Sequence, residues 1–524
     1  MFNLRINPAD LARDTWNWSA GRWSCGSSWI VPYRHPLTDQ VAFTDGERTA
    51  LVSATRTTGT SRRSPEVGVI GEGFDKVVAA LVEDRDDWVV VQTCRDGSVM
   101  ITTGTACTVP QYLAAVGGVL HGSWDLVGLR DQQSPDRLDP LAVTRHLALR
   151  TRYSHTTFWE DVRLLTERAT AHFTPDGKTV FRFPEPAPHT RARELSEGAD
   201  PVPVFLDLLD MAVAKLPWEG SSTGVQLSGG MDSTVVALAL RTAVQGAGVT
   251  AGAVTLDGEV GSQQRRRRRM ILDYIGSGWS DVTVDALDHL PYGAASCYSR
   301  GHLESPHGDI YVDALDALSG HFVDNGVDTV FTGIGGDELM AVTSAEEPGG
   351  WGWTGVAVPP WLGPVARDLL PDVDTGITPA SVVPETALMA KSVAASSLLR
   401  RGIWPMHPLT DPTLVRLCEW LPKEWRGRKR LMREIISRTG MSSLVARPPL
   451  PENFEGVIVP AMRRYGAPRI RRILADGSPL IDAGLLDPGG LSGVAARLES
   501  GGLLLPSDHE VAFVLLADSA LTRR

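Results

Sequence analysis

Residues Leu227-Ser-Gly-Gly-Met-Asp-Ser-Thr234 decide how this chain of 524 residues is read. They follow the apolar stretch Gly224-Val-Gln226 and precede Val235-Val-Ala-Leu-Ala-Leu240, so the pattern is strand, glycine loop, helix. Ser228, Gly229 and Gly230 let backbone N–H groups close around an anion, and the following helix adds the positive end of its dipole. The stretch lacks the Gly-Lys-Ser/Thr ending of a Walker loop, so it is not the usual nucleotide cradle of that type. An ordinary glycine turn before a helix is the plainer alternative. The strand–loop–helix context favours anion binding.

Outward from this loop the chain alternates helix and strand. Helical apolar spacing covers Val202–Leu216. A strand is expected at Thr250–Leu256, a helix around Arg266–Ile275 and a strand at Asp281–Asp285. A helix near Ile310–Phe322 then leads into a strand over Asp328–Thr332. Such alternation predicts an α/β fold, a doubly wound parallel sheet with helices on both faces and ligands at the carboxyl ends of the strands. A second glycine loop, Thr332-Gly-Ile-Gly-Gly-Asp-Glu-Leu339, falls at such an end. Mg2+ bridging ATP phosphates needs one or two carboxylates plus phosphate and water oxygens. Asp232 and Asp337 can supply them from adjacent strand ends, the alternative being that Asp337 and Glu338 only cap the next helix. From about residue 385 the chain reads mostly helical, and it carries no internal repeat.

The part before about residue 185 is strand-rich. Trp88–Cys94, the turn Arg95-Asp-Gly-Ser98 and Val99–Thr103 read as a hairpin, and Ala171–Thr174 with Thr179–Phe183 as a weaker one. The proline-rich polar segment Pro184–Arg193 reads as a linker, which divides the chain into domains at 1–195 and 196–524. The composition, 43% hydrophobic and 22% charged, is that of globular cores. A net charge of −11 argues against a nucleic-acid partner. Five cysteines without CxxC pairing point to a reducing compartment and no zinc site. With no signal peptide and no apolar run long enough for a bilayer, the expectation is a cytoplasmic protein without a membrane partner.

At this point the chain resembles the asparagine synthetase superfamily, strongly after the linker and faintly before it. Four further patches keep the family order. Glu304-Ser-Pro306 resembles its Glu-Thr-Pro turn, and His407-Pro-Leu-Thr-Asp411 its Val-Pro-Phe-Leu-Asp segment. Gly427-Arg-Lys-Arg-Leu-Met-Arg433-Glu434 resembles its Lys-x-x-Leu-Arg-Glu helix. Arg447-Pro448 followed by Phe454 resembles its Arg-Pro-Lys-x-x-Phe segment. The resemblance implies an ATP pyrophosphatase domain (adenine nucleotide alpha hydrolase-like) that forms an acyl-adenylate and releases pyrophosphate. By it, Ser228, Gly229, Gly230, Ser233 and Thr234 hold the pyrophosphate part of ATP. Leu227, Gly333, Gly335 and Gly336 complete the nucleotide loops, and Asp232 and Asp337 bind Mg2+. Lys429 matches the catalytic lysine, and its chemistry agrees, because a fixed ammonium stabilises charge growing on the α-phosphate and the acyl oxygen. The plainer alternative is one solvated charge in the basic stretch Arg426–Arg433. Arg433 reads as structural.

Glutamine-dependent members of the superfamily carry a cysteine directly after the initiator Met as the nucleophile of a glutaminase. Here that residue is Phe2, no cysteine precedes Cys25, and the family's Asn-Gly-Glu-Ile-Tyr-Asn segment is missing. The segment Trp88–Leu113 still resembles glutaminase strands. The expectation is a degenerate glutaminase-like α+β sandwich without activity, so that the amine comes from the substrate. β-Lactam synthetases and lasso peptide cyclases work in this way. The former place a tyrosine where this chain has Ile334, paired with a glutamate for which Lys391–Ile403 offers no candidate. Ammonia-using asparagine synthetases usually place Glu there. The lasso cyclase reading remains by elimination. It implies a precursor core peptide as substrate, with a leader peptidase and a leader-binding protein as partners. A β-lactam synthetase-like or asparagine synthetase-like ligase and a non-catalytic scaffold stay open.

Three features bear on substrate more weakly. Arg265–Arg269 reads as a solvated helix face, or as a contact for an acidic peptide. The Gly-, Pro- and Trp-rich segment Ala345–Pro371, with Trp351, Trp353 and Trp361, reads as a lid or substrate wall, or equally as a local core. His307 and His407 lie beside family-like patches, where a histidine serves as a base or, more often, as a structural residue.

Overall fold

Alternating apolar residues build the first third of the molecule into two seven-stranded sheets. The computed structural model describes residues 1–59, 63–244, 248–297, 310–342, 358–450, 452–502 and 504–522. In one sheet the spatial order is Val162–Leu165, Gln111–Val116, Val119–Ser123, Phe2–Ile6, Ser28–Pro32, Arg22–Cys25 and Asn17–Ser19. In the other it is Thr179–Arg182, Thr170–Phe173, Val99–Thr103, Trp88–Cys94, Arg48–Thr55, Thr38–Thr44 and Val67–Val69. All these pairings are antiparallel except the edge pair of Thr38–Thr44 with Val67–Val69. Alternate residues of Phe2–Ile6 and Val99–Thr103 are buried, which sends every second side chain into one shared core between the sheets. Both expected hairpins form, with Val89 opposite Thr103 and Phe173 opposite Thr179. No regular element lies between Arg182 and Pro201.

Beyond residue 200 five strands form one parallel sheet. They are β1 (Thr223–Gln226), β2 (Thr250–Thr255), β3 (Ser280–Asp285), β4 (Thr329–Phe331) and β5 (Trp404–Met406), in the spatial order β3-β2-β1-β4-β5. Strand order reverses between β1 and β4, and a doubly wound sheet opens its ligand crevice at such a switch. The helices α1 (Pro201–Ala214), α2 (Met231–Val244), α3 (Gly258–Ile275), α4 (Val312–Asp324), α5 (Glu385–Arg400) and α6 (Arg430–Arg438) surround the sheet. Val235, Val236 and Leu240 of α2 pack with Val225, Phe331, Phe205, Leu431 and Ile435 on one face. Leu318 and Phe322 of α4 pack with Val254, Val330 and Leu398 on the other. Gly224 and Gly252 make that face flat enough, since an added Cβ would lie 2.8 and 2.4 Å from the Phe322 ring.

Two expectations change, and one strand was not foreseen. Helix α3 starts eight residues before Arg266, at Gly258, because Gly261 and Gln264 continue the buried spacing of Arg267, Arg268, Ile271 and Ile275. The solvated-face reading of Arg265–Arg269 is corrected in part: Arg265, Arg266 and Arg269 are exposed, but Arg267 and Arg268 are 2% exposed. β5 escaped the sequence reading, since three residues with a central proline carry little strand signal and lie at the sheet edge, where proline is tolerated. In the Trp-rich segment, Trp361 is fully buried in the helical core and donates to the Leu147 carbonyl at 3.0 Å, which is the local-core alternative. Trp351, Trp353, Glu304-Ser-Pro306 and His307 lie outside the described residues.

The two parts pack closely. Arg400 of α5 grips Asp125 through both carboxylate oxygens, at 2.6 and 2.8 Å. Tyr33 donates to the Leu399 carbonyl at 2.9 Å. Lys391, buried in α5, donates to the Ala106 carbonyl at 2.6 Å.

Candidate functional site at the carboxyl ends of β1 and β4

The first glycine loop leaves β1 at Leu227, whose side chain is fully buried and whose N–H bonds the Gly252 carbonyl at 2.8 Å. Leu227 therefore anchors the loop through the core and offers the site only its backbone. Gly229 takes φ +92°, a left-handed angle that a side chain would resist. Ser228 Oγ accepts from the Gly230 N–H at 3.1 Å and lies 3.2 Å from Ser233 Oγ. Thr234 Oγ donates back to the Gly230 carbonyl at 2.6 Å. The hydroxyls of Ser228, Ser233 and Thr234 thus knit the loop to the first turn of α2, a helix end whose first N–H groups have no intrahelical partners.

The second loop interlocks with the first. A Cβ at Gly336 would lie 2.3 Å from Asp232 Cγ, and one at Gly333 would lie 2.9 Å from the Ser233 nitrogen. Gly335 has φ +97°, and a Cβ there would lie 2.8 Å from Thr410 Cγ2 and 2.9 Å from the Leu409 carbonyl oxygen. His407 supports the loop from behind: its Nδ1 is 2.7 Å from Thr332 Oγ, which accepts from the Ile334 N–H at 3.3 Å. Its Nε2 is buried and has no hydrogen-bond partner among the described residues. Burial holds the His407 pKa well below 6.5, and the Lys391 charge pushes the same way. His407 is a support of the loop, not a solvent-facing base.

Lys429 joins the two loops. Its Nζ lies 2.6 Å from Asp232 Oδ2 and 2.7 Å from Asp337 Oδ1. Asp232 is half-buried and Asp337 exposed. Burial raises the Asp232 pKa, against the pull of the Lys429 charge. Burial also works against the ammonium, but Asp232 and Asp337 outweigh it and raise the Lys429 pKa, so the lysine is charged at neutral pH. Arg428 and Lys429 both adopt left-handed backbone, at φ 51° and 54°. Each such non-glycine residue costs about 1–2 kcal/mol, and strain of this kind collects at functional sites. The surroundings impose it. Arg426 is buried and donates to the Ala341 carbonyl, beyond the second loop, at 2.6 Å. Leu431, Met432, Ile435 and Ile436 of α6 are locked in the core.

The donor set fits a divalent cation. Two carboxylates reach one ammonium position, and Asp232 Oδ1 is buried without a hydrogen-bond partner among the described residues. No group of three His, Cys, Asp or Glu ligands occurs among the described residues. A magnesium ion here would draw its remaining oxygens from phosphate and water, as it commonly does.

Two groups escaped the sequence reading. Arg267 Nε donates to the Gly229 carbonyl at 3.1 Å from below the first loop, and the same guanidinium pairs with Glu452. Arg268 beside it pairs with Asp281. Their signal was the spacing of Gln264, Arg267, Arg268 and Ile271, which puts the two arginines on the apolar side of α3. In the other family-like patches, Asp411 caps the next helix by accepting from the Thr413 N–H at 2.8 Å. Phe454 packs on Tyr311 with ring centroids 4.1 Å apart. Arg433 is half-buried.

Residues 205–398 match the family model described as asparagine synthase. The match runs from within α1 to within α5 and contains both glycine loops, while Lys429 lies beyond it. It supports the asparagine synthetase superfamily and, at that level, an ATP-dependent carbon–nitrogen ligase that forms amides. A search of the curated proteins found no match for the chain. No helix among the described residues is long and apolar enough to cross a membrane.

Proposed function

We propose that this protein is a lasso peptide cyclase: it adenylates an Asp or Glu side chain of a precursor core peptide and joins it to the peptide's N-terminal amine, releasing pyrophosphate and AMP. The observation that carries the ligase chemistry is the Lys429 ammonium, 2.6 Å from Asp232 and 2.7 Å from Asp337 where the two glycine loops meet. The backbone of Ser228–Gly230 and the start of α2 hold the β and γ phosphates, with Ser233 and Thr234 fixing that turn. Gly333, Gly335 and Gly336 keep the opposite wall free of side chains. Asp232 and Asp337 hold Mg2+, which withdraws charge from the phosphate oxygens when bound. Lys429 stabilises the charge that grows on the α-phosphate as the carboxylate attacks, and then on the acyl oxygen as the amine displaces AMP. Holding a prefolded chain with amine and acyl group adjacent supplies much of the rate gain.

The peptide-cyclase reading rests on what the chain lacks for the other chemistries. Phe2 is a buried strand residue without a nucleophilic group, which supports an amine drawn from the substrate and not from glutamine. The paired antiparallel sheets before residue 183 support a glutaminase-like origin for that part of the chain, with domains at 1–195 and 196–524. Ile334 offers no proton acceptor where β-lactam synthetases use tyrosine. The partners are a leader peptidase and a leader-binding protein.

The test is mass spectrometry of the candidate core peptide after incubation with the enzyme, its leader peptidase, ATP and Mg2+, with AMP assayed in parallel. Loss of one water from the peptide together with AMP is the expected result. AMP formed without a dehydrated peptide would point to a small carboxylate as substrate. Neither product, from folded protein with its partners present, would overturn the reading in favour of a scaffold.

A further inference from the structure

We propose that Arg267 is a positioning residue that locks the Gly229–Gly230 peptide in the orientation phosphate binding requires, an inference that rests on the ATP-site reading above. A trans peptide is planar, with its C=O and N–H directed oppositely. Holding the Gly229 oxygen therefore aims the Gly230 N–H. The oxygen accepts from Arg267 Nε at 3.1 Å below the loop, and the Gly230 N–H bonds Ser228 Oγ at 3.1 Å on the other side.

The lock is needed because this peptide lies between two glycines. Without a Cβ on either side, rotation of the whole peptide plane meets little steric resistance. The rotated form would turn a repelling carbonyl oxygen into a cradle meant for phosphate and break the bond from the Gly230 N–H that holds the Ser228 hydroxyl in the loop. The guanidinium that prevents this is itself immobile. Arg267 is 2% exposed, and its far arm is paired with Glu452. Its helix lies directly against the loop: a Cβ on Gly229 would fall 3.3 Å from the Gln264 carbonyl and 3.2 Å from Arg268 Cγ. Gln264 bonds the Leu256 N–H at 2.9 Å and the Val254 carbonyl at 3.1 Å, which ties that stretch of α3 to the end of β2. Only arginine offers separate donors for the loop carbonyl and for Glu452, since lysine presents a point charge.

The test is calorimetric titration of the full chain with ATP and Mg2+, with pyrophosphate and Mg2+, and with AMP alone. Arg267→Lys keeps the charge facing Glu452 and so keeps the fold; Arg267→Met removes the donors altogether. Both weaken ATP and pyrophosphate by roughly 10- to 100-fold, the weight of a hydrogen bond to a charged group. AMP, which the loop does not hold, binds as before. Arg266→Met, in the exposed part of the same run, changes none of the three. Arg267→Lys binding ATP and pyrophosphate like wild type would overturn the lock. Equal weakening of AMP would also overturn it, because the residue would then be merely structural. A wild-type chain that binds neither ATP nor pyrophosphate would overturn the ligase reading, and the lock with it; wild-type binding with an unaffected Arg267→Lys removes the lock alone.

Discussion

Lys429 and Asp232, 197 residues apart in sequence, are joined by a 2.6 Å ion pair that closes the crevice between the two glycine loops. The lysine stands on left-handed backbone, so its position is imposed by the core beneath α6 and not by local preference. A group held in this way acts on charge as it develops. Lys429→Met is expected to lower AMP formation by roughly 10²- to 10³-fold, the loss typical of removing one such donor, with ATP affinity nearly kept. Single-turnover AMP release and equilibrium ATP binding check this. Near wild-type AMP release would remove Lys429 from the chemistry.

Gly336 gives Asp232 its room. Gly336→Ala places a methyl 2.3 Å from the Asp232 Cγ, so the carboxylate must move and AMP formation is expected to fall sharply while the fold persists. Gly456, inside a helix with nothing within 4 Å of an added Cβ, is the counter-case. Gly456→Ala should raise stability by about 0.4–1 kcal/mol, because the unfolded chain loses freedom. Urea midpoints of both variants, with AMP release for the first, distinguish the two effects.

His407 predicts a pH dependence of stability. The folded protein keeps the imidazole neutral well below 6.5, whereas the unfolded chain takes up a proton near that value. The unfolded state thus binds more protons as pH falls below 6.5, and stability declines in that direction. His407→Gln should flatten the urea midpoint between neutral and mildly acidic pH. An unchanged slope in the variant would show that other groups carry the dependence.

Lys391 and Asp87 predict a cost at the contact between the two parts. Lys391 is buried, and burial lowers its pKa against the pull of the Asp87 charge. Burial raises the Asp87 pKa, with the Lys391 charge opposing. Lys391→Met removes the donor to the Ala106 carbonyl and the positive charge near Asp87, whose carboxylate keeps its bonds from the Thr108 N–H and hydroxyl, both at 2.7 Å. The expected loss is about 1–3 kcal/mol, the cost of leaving a hydrogen-bonding group without its partner. The double variant Asp87→Asn with Lys391→Met should recover part of it. A double variant no more stable than Lys391→Met would mean that the charges do not compensate one another.

What the amino-acid sequence determined by itself was local and periodic. The glycine loop after Leu227 lies at a strand end because an apolar run, two glycines and a helical run follow one another within a few residues. The hairpin of Trp88–Thr103 forms because Asp96-Gly97 closes a turn between two β-rich runs, and folding set its register, with Thr93 opposite Val99. Tertiary structure decided what depends on residues distant in the chain. β5 exists because Trp404–Met406 finds an open edge beside β4, not because three residues with a proline favour a strand. Arg267 and Arg268 look like the other three arginines of their run, and only the packing of α3 against the first loop separates the buried pair from the solvated ones. Lys429 reached Asp232 and Asp337 only when the core under α6 forced its turn into left-handed backbone. Sequence carries propensity and period, whereas burial, ion pairing and backbone strain are set by neighbours that the chain brings together only on folding.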